Sequence, residues 1–194
     1  MRSSIARRAV LCGLACCLPA LRAARAEQPL NIGAGRGTID FAIGDSRIFR
    51  TTGSFKDWRG FVHVDEANVP RSSVEVTVRT ASIDMLDAQQ TAMLKEPDFF
   101  DVANHPEMRF RSTRIERTGE TTLKVEGLIT LRGVTRPMTL DVSVTDRGAD
   151  ASSGRPYARF RGTGSIKRSE FGMTRFVDVV GDTVDITIRT DAWR

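Results

Sequence analysis

The chain has 194 residues, 40% of them hydrophobic and 27% charged, with a formal net charge of +5. This is the composition of a globular protein with one sizeable core, which excludes a disordered or collagen-like chain. The charge would suit a nucleic-acid binder, but its location does not. Arg2, Arg7, Arg8, Arg22 and Arg25 supply the whole excess, and removing them leaves 24 basic and 24 acidic residues over 27–194. A neutral chain lacks the clustered Lys and Arg that phosphate backbones require, so no nucleic-acid partner is expected.

Residues 1–26 read as a cleaved secretory signal peptide. Arg2, Arg7 and Arg8 precede an apolar stretch from Ala9 to Leu21, and Ala24-Arg25-Ala26 is an A-x-A cleavage site. The apolar stretch is too short to span a bilayer. Cys12, Cys16 and Cys17 all lie in this leader, so the mature chain from Glu27 would have no cysteine, no disulfide and no thiol chemistry.

From Gly37 onward apolar and polar residues alternate. Ile39, Phe41 and Ile43 share one face of a first strand over 38–43. Further strands are predicted over 47–55, 60–65, 73–80, 107–117, 121–132, 136–146, 156–167 and 182–190, with turns at Thr118-Gly119, Arg147-Gly148, Ser152-Ser153-Gly154 and Gly181-Asp182. One helix is predicted over Asp87–Lys95, capped by Asp87 and stopped by Pro97. Asp98 and Asp101 flank Phe99-Phe100 in the following loop and read as loop caps. An antiparallel sheet of this size with one dry face closes as a barrel or folds over as a sandwich.

Catalytic patterns are missing. There is no HExxH, no CxxC and no G-x-S-x-G turn, and the two histidines of the mature chain, His63 and His105, lie far apart in sequence. Gly162-Thr163-Gly164 sits inside an alternating strand and reads as close packing rather than a phosphate loop. Gly33-Ala34-Gly35-Arg36-Gly37 has no helix after it and is no dinucleotide fingerprint. Neither a metal, a cofactor nor catalysis is expected.

Several blocks carry a resemblance. They are Ser72-Ser73-Val74-Glu75-Val76-Thr77-Val78 with Ala81-Ser82-Ile83-Asp84, then Pro97-Asp98-Phe99-Phe100-Asp101-Val102 and His105-Pro106-Glu107-Met108-Arg109-Phe110. Gly127-Leu128-Ile129-Thr130-Leu131-Arg132-Gly133-Val134-Thr135-Arg136-Pro137, Ser169-Glu170-Phe171-Gly172-Met173 and Val180-Gly181-Asp182-Thr183-Val184 complete the set. In order and spacing they resemble the YceI-like family of exported polyisoprenoid-binding proteins, over Thr38 to the C-terminus.

The resemblance implies an all-β fold, an eight-stranded antiparallel lipocalin-like barrel with one short helix and an apolar tunnel. It implies a bound isoprenoid lipid, isoprenoid quinone or similar amphiphile, a periplasmic or secreted location, transient contact with a membrane, and homodimers. Three places depart from the family pattern: Arg36-Gly37, the helix positions Gln90, Thr91 and Met93, and Thr174-Arg175-Phe176.

A barrel of eight strands either fills with side chains or holds one ligand. Val74, Val76, Val78, Val125, Ile129, Leu140, Val142 and Ile186 form the inward set, and Gly127, Gly162 and Gly164 on the same face are expected to leave room. Phe41, Phe55, Trp58, Met108, Phe110, Ile129, Leu140, Phe160, Phe171 and Met173 are the candidate ligand-binding wall. Three functions remain: a carrier of isoprenoid lipid, an accessory module that binds protein in a membrane redox or stress system, and an enzyme acting on a lipid head group. The third lacks convergent titratable groups.

Overall fold

The computed structural model describes residues 29–44 and 50–193. The expected signal peptide and residues 47–49 of the second expected strand lie outside the described residues. The strands are β1 (Leu30–Gly33), β2 (Gly37–Ile43), β3 (Thr51–Phe55), β4 (Trp58–His63), β5 (Ser73–Arg79), β6 (Ile83–Met85), β7 (Glu107–Arg117), β8 (Thr122–Leu131), β9 (Val134–Ala149), β10 (Pro156–Lys167) and β11 (Thr183–Trp193). Helix α1 spans Ala88–Lys95, and a single turn, α2, spans Val177–Val180.

The first six strands are three long strands, each bent once. A 3-10 turn at Ala34–Arg36 joins β1 to β2, Lys56-Asp57 joins β3 to β4, and a 3-10 turn at Thr80–Ser82 joins β5 to β6. The bends lie side by side, because β2 pairs β3 and β3 pairs β6, while β1 pairs β4 and β4 pairs β5. The five long strands from β7 to β11 then follow β5 in antiparallel order. β11 returns to pair both β2 and β1, which closes an eight-stranded antiparallel barrel. Closure leaves the long strands without free edges.

The period-two pattern sorts the side chains as expected. Val125, Ile129, Leu131, Met138 and Leu140 point inward and are buried. Outward positions pair by charge across neighbouring strands: Glu75 faces Arg111, Arg159 faces Asp191, and Asp40 lies within reach of Arg189. The arginines therefore alternate with acids around the barrel.

β1, β6 and α2 are not among the predicted elements. Leu30-Asn31-Ile32-Gly33 is a short strand ahead of a glycine-rich bend, and it pairs with four residues of β4. The predicted helix is present and its cap is as read: the Asp87 carboxylate accepts from the Gln90 backbone N–H at 2.7 Å. Asp87→Ala should cost about 1 kcal/mol of helix stability, seen as faster amide exchange over α1 with the barrel strands unchanged. Equal exchange in both proteins would contradict the cap.

The loop after α1 folds back over the barrel end. Asp101 adopts a left-handed backbone (φ 48°) and its carboxylate accepts from the Asn104 side chain at 3.0 and 3.1 Å, while Asp98 pairs with Arg175. Both acids thus hold the loop, and Phe99 between them is buried.

Candidate functional site

The interior is not filled. The buried apolar residues form two clusters: one around Phe110, Ile129, Leu131, Leu140 and Phe171, the other around Ile32, Ile39, Phe55, Trp58 and Ile83. Val74, Val76, Met108, Ile186 and Ile188 are only partly buried and touch both. Between them runs a cavity of about 1040 Å³. Close-packed interiors hold few voids larger than a water, so this is a built space rather than a packing defect. It falls in the size class of ligand sites.

The lining changes along the barrel. At one end stand Ile43, Met85, Met93, Leu94, Phe99, Phe100 and Met173, with Gln90, Arg168, Arg175 and Phe176 beside them. The middle is lined by the inward valines and isoleucines. At the other end the lining turns polar, with Glu66, Arg117, Glu120, Thr121, Arg147 and Tyr157 around the mouth. This mouth lies between the 64–72 loop, the 118–121 turn and the long β9–β10 hairpin.

Of the ten candidate wall residues, Phe41, Phe55, Met108, Phe110, Ile129, Leu140, Phe160 and Met173 line the cavity. Trp58 and Phe171 do not. Both are almost fully buried, at 3% and 1% exposure. Trp58 follows the bend at Lys56-Asp57 and packs with Ile32, Phe55 and Val78, its indole N–H without a partner among the described residues. Phe171 ends a 3-10 turn between β10 and β11 and packs in one cluster with Leu131, the last residue of β8. Bulk at a bend or an end goes into wall packing instead of facing the space.

The glycine expectation is corrected at two of three positions. Gly162 lines the cavity, but the room beside Gly127 is taken by the Phe110 ring, where a Cβ would lie 2.5 Å from Cζ. At Gly164 a Cβ would lie 2.6 Å from the Thr139 carbonyl and 3.0 Å from Leu140 Cδ2. The predicted close packing of Gly162-Thr163-Gly164 is therefore strongest at Gly164. Lining residues missed in the sequence include Met93, Phe99, Phe100, Ile115 and Met138; the Phe99-Phe100 pair, set between two loop-capping acids, was the available signal.

The end near α1 is held by one buried cation. Arg168, 6% exposed, donates from Nε to the Gly181 carbonyl at 2.9 Å and from Nη1 to the Arg175 and Met173 carbonyls at 2.7 and 3.3 Å. Burial pushes its pKa down, opposed by the nearby Asp182 carboxylate. At Asp182 partial burial raises the carboxyl, but the Ser169 N–H at 2.9 Å and hydroxyl at 2.7 Å outweigh it and hold the group below its ordinary range. A carboxyl lowered in the fold stabilises above its unfolded pKa and loses that contribution as the pH falls through its folded value. Asp182→Asn should therefore lessen the fall in Tm between about pH 5 and about pH 3; an unchanged slope would contradict this. The hydrogen bonds of both side chains go to the turn that links β10 to β11. Among the described residues no group of three His, Cys, Asp or Glu could hold a metal.

A family model for the YceI-like domain matches residues 31–192. The chain belongs to the YceI-like family. It is 33% identical over 156 residues to a UPF0312 protein of Pseudomonas savastanoi pv. phaseolicola, covering 80% of this chain and 81% of the relative. It is 30% identical over 169 residues to protein YceI of Salmonella newport, covering 87% of each. Among solved structures, BcnA of Burkholderia cenocepacia superposes with a TM-score of 0.73 at 26% identity, over 82% of this chain and 98% of that one. A polyisoprenoid binding domain from Saccharophagus degradans superposes with a TM-score of 0.58 at 11% identity, over 84% and 97%, a likeness of fold. The YceI-like family and the barrel read from the motif blocks both hold.

Proposed function

We propose that this YceI-like protein is an exported, non-enzymatic binder that holds one isoprenoid-type chain for transport, storage or stress response. The observation that carries the reading is the continuous apolar cavity of about 1040 Å³ along the barrel. An apolar cavity is poorly hydrated, so an apolar chain enters at little desolvation cost and removes its own surface from water, worth roughly 25 cal/mol per Å². Methionines at 93, 108, 138 and 173 adapt their shape to an irregular chain. The isoprenoid identity rests on the family motifs, and the Saccharophagus domain of the same fold is described as polyisoprenoid binding.

Leu86, Met93, Phe176 and Val179 are exposed apolar side chains near the α1 end of the cavity. They support transient membrane contact during loading. The rival reading, a protein-binding module, has a dry barrel that takes up no chain.

Displacement of an apolar fluorescent dye by geranylgeraniol tests the two. The carrier reading expects saturable uptake at one chain per protein; no displacement up to the solubility limit would overturn it.

A further inference from the structure

We infer that the ligand is oriented, with a head group bearing hydrogen-bond acceptor oxygens seated at the polar mouth between Arg117 and Arg147 and its tail running toward α1. This rests on the chain-binding reading above and deepens it.

Two β-bulges carry the inference. In β7 the inward residues are Met108 and Phe110, at even positions. The register shifts between Ser112 and Arg114, so that Ile115 faces Val125 and Arg117 faces Leu123, both cavity-lining partners. Without the extra residue Arg117 would stand on the outer face with Arg109 and Arg111. In β9 the inward residues are Met138, Leu140, Val142 and Val144. The second shift sets Phe160 against Val144 but Ala158 against Arg147. Ala158 is on the inner face with Phe160, so Arg147 is turned inward as well. Bulges re-aim side chains in this way near functional sites. Two independent shifts, on strands two apart in the sheet, each deliver an arginine to the same end of one cavity.

The other charged groups of that end leave the two guanidiniums free to act. Asp146 lies on the outer face, where it accepts from the Tyr157 hydroxyl at 3.0 Å and pairs with Arg159 at 3.5 Å. The Asp65 carboxylate accepts from the Asn68 N–H at 2.8 Å within its own loop. Glu66 and Glu120 stand at the rim, on the 64–72 loop and the 118–121 turn, rather than on the strand face that carries the arginines. Arg117 spends one N–H on the Glu120 carbonyl at 3.1 Å, and Arg147 makes no hydrogen bond or ion pair among the described residues. A guanidinium offers several donors in a planar fork, which suits phosphate or carbonyl oxygens and offers nothing to a hydrocarbon. The opposite end also carries Gln90, Arg168 and Arg175, but Arg168 donates to the carbonyls of Met173, Arg175 and Gly181, and Arg175 pairs with Asp98 and lies over the Phe176 ring. The rest of that lining, Ile43, Met85, Leu94 and Phe100, is apolar and suits a tail.

The double variant Arg117→Gln/Arg147→Gln tests this with three probes: geranylgeranyl diphosphate, a decyl-tailed benzoquinone and the headless hydrocarbon octadecane. Both arginines are exposed, so the fold should persist. Affinity for the diphosphate, the quinone or both should fall about tenfold at low salt, with octadecane unchanged. Loss for the diphosphate alone assigns an anionic head, and loss for both assigns any acceptor oxygen. Unchanged affinity for both headed probes, or an equal loss for octadecane, would overturn the orientation. A wild-type protein that binds none of the three would instead overturn the chain-binding reading itself.

Discussion

Replacing Ile129 with tryptophan should abolish chain binding while the barrel stays folded. Ile129 is 6% exposed, points inward from β8 beside Phe110 of β7 and lines the cavity. In a filled barrel the added bulk would overpack the core and cost about 1–3 kcal/mol. Here the indole has open space in front of it, so it occupies ligand volume instead. The expected result is a Tm within a few degrees of wild type and no retained chain. Thr130→Trp is the control. Thr130 lies on the outer face, where its hydroxyl is 2.8 Å from that of Thr135, so its replacement should leave both binding and stability close to wild type. Chain retained by Ile129→Trp at the wild-type level would place the ligand elsewhere.

The largest loss of stability is expected at Arg168. Its guanidinium ties the carbonyls of Met173, Arg175 and Gly181 into one turn that seals the α1 end. Arg168→Met keeps the length of the side chain but leaves those carbonyls without their donor. Each hydrogen bond to a charged group is worth about 1.5–3 kcal/mol, and orphaned buried acceptors add a desolvation penalty. A loss of about 3–5 kcal/mol is expected, read as a fall in Tm of roughly 6–20 °C for a domain of this size. Lys at 168 should recover only part of it, since an ammonium lacks the planar fork. A fall of less than about 1 kcal/mol would show that water replaces the guanidinium at these carbonyls.

Strand alternation made most of the barrel legible. Val74, Val76 and Val78 or Leu123, Val125 and Ile129 show their inner face at once, because a half-buried strand permits little else. The α1 helix was legible from Asp87 and Pro97, two residues whose backbone chemistry is local. The first short strand and the bulges were not. β1 hid because Leu30-Asn31-Ile32-Gly33 is too short to show a period and is held mainly by its partner β4. The bulges hid because no glycine or proline marks Ser112-Thr113 or Thr145; the extra residue is dictated by the strand across from it, which one strand alone does not reveal. Parity therefore changes beyond each bulge: Arg117 merely ended the strand predicted over 107–117, and Arg147 was expected in a turn with Gly148, whereas β9 runs on to Ala149 and both arginines line the mouth.

The candidate wall shows the same division between local and distant causes. Eight of its ten residues line the cavity, since direction follows from alternation. Trp58 and Phe171 are as apolar as the rest, but they sit at a bend and in a terminal turn, where packing partners come from strands far away in sequence. Gly127 and Gly164 were read as empty space because an absent side chain looks like room. In the barrel, Phe110 and Leu140 lean over them. Whether a missing Cβ leaves a void depends on neighbours across the strand, not on the glycine.

The central claim is that the cavity exists to hold an apolar chain. Mass spectrometry of an organic extract of the protein, purified without detergent from its native compartment, tests it most directly. One isoprenoid-type amphiphile per chain is expected, present in wild type and Thr130→Trp and absent from Ile129→Trp. A wild-type extract free of such lipid, from a protein that also takes up none when offered, would contradict it.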